Sequence, residues 1–389
     1  MPEVYLDNAT TSYPKPESVR RAVAEFATGC GASPGRGGYP RALAAEEEVS
    51  SCRRAVARLI GTPDPSCIAF ASGSTEALNA ALKGLLIRPG DHAVVTALEH
   101  NAVLRPLRAL ERSRGVTSTV VQCLPDGTID SEAVARAIRP ETRVVCAVHA
   151  SNVLGTILPI REIARVAHAW NIPVLVDGSQ TAGALPLSVA LLEVDLFAFT
   201  GHKSLLGPPG TGGLYVRPGL RLETWKEGGT GTRSESLDPP ESMPERLETG
   251  TANTWGIAGL RAGVEWLLEM GVDRVRAREM ALTATLREGL SAIGGVTLYG
   301  PRDAERAVGI VSFGIGTLPP SEVGRLLADR FGIAVRTGLH CSPLAHDAAG
   351  SARLGGTVRF GIGAFTTEAE VAAAVLAVGK IAGAAYRRT

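Results

Sequence analysis

Val174-Leu175-Val176-Asp177-Gly178-Ser179-Gln180 and Leu196-Phe197-Ala198-Phe199-Thr200-Gly201-His202-Lys203 decide how this chain folds. Each opens on an unbroken apolar run and then breaks into polar, reactive residues. A strand with one face in water alternates apolar and polar side chains, so an unbroken run of strand length belongs to a sheet buried on both faces. Further runs of this kind are Cys67–Phe70, Ala93–Thr96, Thr119–Gln122, Val144–Val148 and Gly213–Val216. Helical patterns separate most of them: Glu76–Leu86, Asn101–Ser113, Asp130–Ile138 and Ile160–Trp170. This alternation predicts an α/β fold with a mainly parallel seven-stranded sheet covered by helices.

Beyond Trp255 one long helix is predicted to about Ile293. A smaller α/β unit follows, with Ile310–Phe313, Ile333–Val335 and Thr357–Gly361 as strands, Glu322–Phe331 as a helix, and a last helix at the end. The expected division is an N-terminal segment (1–16) packed on the small domain, a large domain (17–255) and a small C-terminal domain (256–389). Glu227–Glu245, rich in Gly, Ser and Pro, reads as a long loop of the kind that is functional or mobile.

Size and composition narrow the function. A chain of 389 residues buries a large core. A net charge of +1 leaves no electrostatic footprint for nucleic acid or an anionic membrane. No basic segment followed by an apolar one opens the chain, and no apolar run reaches bilayer length, so neither a secretory signal nor a membrane span is expected. The six cysteines are scattered without a C-x-x-C pair, which argues for reduced thiols in a cytoplasm.

Ligands of open α/β sheets bind at the carboxyl ends of strands. Here those ends carry Ser72-Gly73-Ser74-Thr75, Glu99-His100-Asn101, His149-Ala150-Ser151-Asn152, Asp177-Gly178-Ser179-Gln180 and Thr200-Gly201-His202-Lys203. Ser72–Thr75 follows a strand and opens a helix, where free N–H groups and the helix dipole suit a phosphate; a plain N-cap is the alternative. Asp177 ends a buried strand and requires a partner, either a pyridinium nitrogen or the N–H groups of the following turn. Lys203 stands among apolar neighbours, where burial lowers its pKa and favours a Schiff base. An aspartate and a lysine on neighbouring strand ends suit pyridoxal 5'-phosphate (PLP). At the same ends, His100 is placed to lie over the ring and Gln180 to reach its oxygen; structural roles are the alternative for both.

Together these motifs resemble the class V aminotransferases of the fold-type I PLP enzymes, and within them the cysteine desulfurases and selenocysteine lyases. The likeness runs from Tyr5-Leu6-Asp7-Asn8-Ala9 to Arg359 and includes Ser151-Asn152-Val153-Leu154-Gly155-Thr156. It implies that Lys203 carries the cofactor, Asp177 holds its ring nitrogen and His100 stacks on the ring. Ser74 or Thr75, Thr200 and His202 would hold the phosphate, and Gln180 the ring oxygen. It further implies a homodimer in which a partner residue reaches the phosphate, with Thr251 of Gly250-Thr251-Ala252-Asn253-Thr254 in that role.

Arg336-Thr337-Gly338-Leu339-His340-Cys341 selects the reaction. It resembles the active-site cysteine segment of desulfurases whose cysteine loop is short. A thiol beside a basic, glycine-containing loop supplies the nucleophile for sulfur, and Arg359 matches the arginine that grips the substrate carboxylate. By the same resemblance Asn152 and Arg336 would complete the substrate side. The resemblance implies conversion of L-cysteine to L-alanine with a persulfide on Cys341, later passed to an acceptor protein or thiol. Selenocysteine cleavage, another class V C–S lyase or aminotransferase reaction, and a non-catalytic sulfur-relay role are the alternatives. A metal site of His340, Cys341 and His346 lacks a fourth ligand. Two positions depart from the family pattern: Leu339, where a second histidine is common, and Tyr39 in Gly35-Arg36-Gly37-Gly38-Tyr39, where a histidine is expected.

Overall fold

The computed structural model describes residues 3–35, 37–86 and 88–386; Arg36 of the glycine-rich stretch lies outside them. Seven strands form the expected sheet, in the order Ile68–Ala71, Gly212–Val216, Leu196–Thr200, Val174–Asp177, Thr142–Val148, His92–Thr96 and Thr117–Val121. Gly212–Val216 runs antiparallel to both its neighbours, and the other pairings are parallel. The central strands are buried along their whole length. One large apolar cluster on the sheet includes Val145, Val176 and Phe197, and a second includes Val95, Cys146 and Ala198. Neighbouring residues of one strand thus feed opposite faces, which is why the runs contain no polar break.

Helix starts follow from local chemistry. Ser74–Leu85 begins after Gly73, and Glu76 reaches back so that its carboxylate accepts from the Ser72 N–H at 2.7 Å. Asn101–Arg114 is capped by the His100 ring, whose Nδ1 accepts from the Ala102 N–H at 3.0 Å. Both starts lie at strand ends, so helix caps and site residues share the same few positions.

The long helix expected after Trp255 is two helices, Thr254–Met270 and Val272–Ser291. Gly271 separates them with φ +82°, a conformation that glycine enters without steric cost. The second half of the chain then forms a four-stranded antiparallel sheet in the order Arg336–Gly338, Thr357–Gly361, Ile310–Ile315 and Val296–Tyr299. Its core joins Phe313 and Phe360 to Leu286 and Val378 of the covering helices, and Leu6 belongs to the same cluster. Val4–Tyr5 pairs in parallel with Ile333–Ala334, so the N-terminal segment is bound to this sheet. The Gly/Ser/Pro-rich stretch contains no helix or strand, and the buried Arg246 anchors its end by donating to the Leu222 carbonyl at 2.7 Å. Among the described residues no helix is long and apolar enough to cross a membrane.

Candidate active site

The strand ends of the large sheet open on a cavity of about 360 Å³. Ser74, Thr75, His100, Asn152, Asp177, Gln180, Thr200, His202 and Lys203 line it from that side; Arg336, His340, Cys341 and Arg359 line it from the antiparallel sheet. Twelve of the thirteen residues expected at the site therefore meet around one space. Thr251 does not: it is exposed, in an adjoining hollow of about 170 Å³ that shares Ser72, Glu76 and Gly210 with the cavity.

Asp177 is buried, and its Oδ1 accepts from both the N–H (2.9 Å) and the hydroxyl of Ser179. Among the described residues Oδ2 makes no hydrogen bond, so one oxygen is fixed by the turn and the other is free. Behind it lies Glu99, fully buried, with Oε1 accepting from Thr96 Oγ1 and from the Val148 N–H at 2.8 Å. Burial pushes the Glu99 carboxyl up to about 7, and the charge of Asp177 adds to the effect. A low-dielectric site next to an anion favours the neutral acid.

Lys203 follows the Leu196–Thr200 strand in a turn. Burial pulls its amine down to about 8 against the opposing charge of Asp177, and among the described residues the amine makes no hydrogen bond. Its backbone is held from the other end of the chain. Ser12 Oγ donates to the Lys203 carbonyl at 2.7 Å, while the Ser12 N–H (2.9 Å), Thr11 Oγ1 (3.0 Å) and Lys15 Nζ (2.9 Å) all donate to the His202 carbonyl. Burial, and then the positive charges of Lys203 and Lys15, lower His202 to about 4. His100 is likewise lowered by burial, with Asp177 opposing. Its Nδ1 is committed to the helix cap, so the neutral ring carries its proton on Nε2. Gln180 donates to the Ala9 carbonyl at 3.0 Å.

Arg359, 3% exposed, is held at three points: Nη1 donates to the Asn152 carbonyl at 2.8 Å, and Nη2 to Thr10 Oγ1 at 2.8 Å and to Asp7 Oδ1 at 3.4 Å. Thr10 also donates to Asp7 at 2.7 Å. Nε is buried without a partner, and burial lowers the guanidinium pKa. A desolvated arginine with an unused donor calls for a carboxylate. Cys341 is exposed, and the backbone there is left-handed at both His340 (φ 47°) and Cys341 (φ 59°). The Asn101 N–H donates to the Cys341 carbonyl at 2.7 Å, which lays the cysteine loop over the start of the Asn101–Arg114 helix.

Asp7, Thr10, Thr11, Ser12 and Lys15 support the site but carry no local signal of doing so. Their role depends on contacts with residues about 190 to 350 positions away. Only the motif likeness at Tyr5–Ala9 pointed to that segment. His346 lies behind His340, with ring centroids 5.6 Å apart, and is tied to Ser351 Oγ at 2.8 Å. Among the described residues no three His, Cys, Asp or Glu side chains group to hold a metal ion.

The donor set suits PLP. The start of the Ser74–Leu85 helix has no side-chain cap and leaves N–H groups for a phosphate. Asp177 offers a free carboxylate oxygen to a protonated ring nitrogen, and Lys203 offers an amine to an aldehyde.

Comparison with known proteins agrees with this chemistry. Residues 4–374 match the family model Aminotransferase class-V. A probable cysteine desulfurase of Methanothermobacter thermautotrophicus is 36% identical over 372 residues, 95% of this chain and 92% of the relative. A cysteine desulfurase of Escherichia coli O127:H6 is 35% identical over 350 residues, 88% of this chain and 85% of the relative. The apo structure of a cysteine desulfurase from Thermococcus onnurineus NA1 superposes with a TM-score of 0.92 at 31% identity, covering 98% of this chain and 95% of that one. With a family match that spans nearly its whole length and a cavity furnished for the family's cofactor, the chain belongs to the class-V aminotransferases.

Proposed function

We propose that this protein is a PLP-dependent cysteine desulfurase that converts L-cysteine to L-alanine and retains the sulfur as a persulfide on Cys341. The observation that carries this reading is an exposed cysteine in the same cavity as a desolvated lysine, a free aspartate oxygen and a buried arginine with an unused donor. When bound, PLP supplies an electron sink for charge at the substrate α carbon.

Ser74, Thr75, Thr200 and His202 would hold the phosphate, and Asp177 would keep the ring nitrogen protonated. His100 would cover the ring and Gln180 would serve its oxygen. Lys203 would anchor the cofactor and move the α proton; an amine lowered to about 8 is poised to do so near neutral pH. Arg359 grips the substrate carboxylate, with Arg336 and Asn152 on the same side. The Cys341 thiolate then attacks the substrate sulfur: an S–S bond forms, the substrate C–S bond breaks, and the β carbon receives a proton. Cysteine and one enzyme thiol become alanine and one enzyme persulfide, so atoms and electrons balance.

The same reading assigns cytoplasmic residence, a persulfide passed to an acceptor protein or small thiol, and a homodimer in which Thr251 of a second copy completes the phosphate end of the cavity. Exposure of Thr251 beside the hollow that shares Ser72 and Gly210 with the cavity supports that last assignment. The division into an N-terminal segment, a large domain and a small domain is supported by separate apolar clusters and by the pairing of Val4–Tyr5 with Ile333–Ala334, although Ile257, Leu260, Val264 and Leu267, beyond residue 255, pack in the large-sheet cluster.

The test is mass spectrometry of the holoenzyme after incubation with L-cysteine. One added sulfur on Cys341 is expected, with alanine formed in equal amount in the first turnover, and Cys341→Ser abolishes both. Pyruvate, ammonium and sulfide production that continues undiminished in Cys341→Ser without added thiol makes the cysteine incidental and favours a plain C–S lyase. Faster turnover of selenocysteine than cysteine, with no dependence on Cys341, assigns a selenocysteine lyase.

A further inference from the structure

Asn152 stands between the two halves of the cavity, and each polar atom of its side chain is engaged once, which leaves one Nδ2 hydrogen over. Its Nδ2 donates to the His340 carbonyl at 2.6 Å, and its Oδ1 accepts from Ser342 Oγ at 2.7 Å. These bonds grip the chain immediately before and immediately after Cys341. Its own carbonyl accepts from Arg359 Nη1 at 2.8 Å. Asn152 is 6% exposed and Ser342 is fully buried, so water does not compete for these groups.

The segment so gripped is one the chain resists. Consecutive left-handed residues other than glycine, here His340 and Cys341, each cost about 1–2 kcal/mol. Such backbone persists only where its surroundings over-determine it. Other ties are the Asn101 N–H to the Cys341 carbonyl and the His340 Nε2 contact with Thr357 Oγ1 at 3.1 Å. Among them Asn152 alone holds both flanks through one side chain while its backbone holds the arginine.

We infer that Asn152 is a positioning residue: its side chain holds Cys341 in a left-handed loop at the substrate sulfur, and its backbone fixes Arg359, so one residue sets the distance between the thiol and the carboxylate grip. This deepens the desulfurase reading and rests on it. It adds to the substrate-side placement of Asn152, since the loop uses only one of the two amide hydrogens. Because Arg359 is held by the Asn152 main chain, removing the side chain frees the thiol and leaves the carboxylate grip in place.

The test compares holoenzyme Asn152→Ala, Asn152→Asp, Ser342→Ala and the Asn152→Ala/Ser342→Ala double variant with the parent. At saturating L-cysteine, persulfide formation on Cys341 falls at least about tenfold in Asn152→Ala. Asn152→Asp keeps the acceptor for Ser342 but sets a carboxylate against the His340 carbonyl, and it is impaired as well. Ser342→Ala falls less, and the double variant is no worse than Asn152→Ala alone, because both act through one contact. Alkylation of Cys341 by iodoacetamide, read without substrate, quickens in Asn152→Ala as the loop opens. Weaker cysteine binding with an unchanged saturated rate, losses that multiply in the double variant, or an unchanged alkylation rate overturns the inference. A parent protein that forms no persulfide, yet whose alkylation responds to Asn152→Ala, sinks the desulfurase reading instead.

Discussion

Lys203 and Cys341 reach the same cavity on opposite kinds of backbone. Lys203 follows five fully buried strand residues, and the carbonyls of His202 and Lys203 are tied to Thr11, Ser12 and Lys15. Cys341 follows a three-residue edge strand and sits in a left-handed loop held by side chains and one backbone N–H from the large-sheet half. The lysine is thus set by the core, and the cysteine by a clasp between two halves. A group that holds a cofactor gains from rigidity. A group that must reach a substrate sulfur and afterwards present a persulfide to an acceptor gains from a support that can be loosened.

The largest expected effect tests the rigid half. On the proposed mechanism Lys203→Ala removes the amine that anchors the cofactor and moves the α proton, so turnover should fall by about 10³-fold or more. The visible band of the holoenzyme should shift or vanish, whereas Cys341→Ser should keep its band while losing persulfide and alanine formation. Absorption spectra separate the two. A Lys203→Ala protein with an intact band and turnover would place the anchor elsewhere.

A second variant probes the seam. Arg359→Ala should raise the KM for cysteine by about 10- to 100-fold, as expected for losing charge-assisted hydrogen bonds to a carboxylate. Asp7→Ala, which leaves the guanidinium present but removes one of its orienting partners, should produce a smaller rise in the same parameter. Equal effects of both substitutions on kcat, with KM unchanged, would mean that the arginine serves the transition state rather than ground-state binding.

How much of this was legible in the sequence follows the same division. Asp177 and Lys203 end unbroken apolar runs, and a strand end is a position that periodicity reveals. Arg359 also lies in a recognisable strand, Thr357–Gly361, but nothing local says which way its side chain faces. The cysteine loop was found by likeness of Arg336–Cys341 to a known segment and not by pattern. Its support could not be read locally at all, because Asn152 meets His340 across 188 positions and Ser12 meets Lys203 across 191. The single helix expected after Trp255 failed for a different reason. Both halves carry the same apolar period, and one residue, Gly271, interrupts it with a backbone angle that composition does not disclose. The seven-stranded sheet was the easy part, since burial on both faces leaves its mark in every strand.

The lowered amine of Lys203 gives a pH signature of the rigid half. Only the free base reacts with an aldehyde, and burial disfavours the ammonium, so the pKa falls from 10.5 to about 8. The rate at which cofactor-free protein takes up PLP should therefore climb about tenfold per pH unit at lower pH and level off above about 8. The same shift has a stability consequence of definite sign. Between about 8 and 10.5 the unfolded chain binds more protons at this lysine than the folded one, so its contribution to stability rises with pH through that window. A capture rate that keeps climbing beyond pH 10 would mean that the amine is solvated.

The smallest effect concerns Leu339, one of the two positions that depart from the family pattern. Leu339 is 43% exposed, and it does not line the cavity that His340 and Cys341 line. Its backbone carbonyl, which accepts from the Ser342 N–H at 2.9 Å, is what the loop uses. A histidine at 339 therefore points a second ring toward solvent, and Leu339→His should alter turnover by less than about twofold and stability by no more than about 0.5 kcal/mol. The ring that does face the cavity, His340, is held neutral: burial pulls its pKa down to about 2, and Nε2 is engaged with Thr357. On the proposed mechanism proton delivery to the substrate then falls to Lys203 and not to an imidazole of the cysteine loop. Steady-state kinetics of Leu339→His from pH 6 to 9 checks this directly. A gain of fivefold or more, with a new ionisation near that of free histidine, would show that the loosely held half of the cavity turns position 339 inward during turnover.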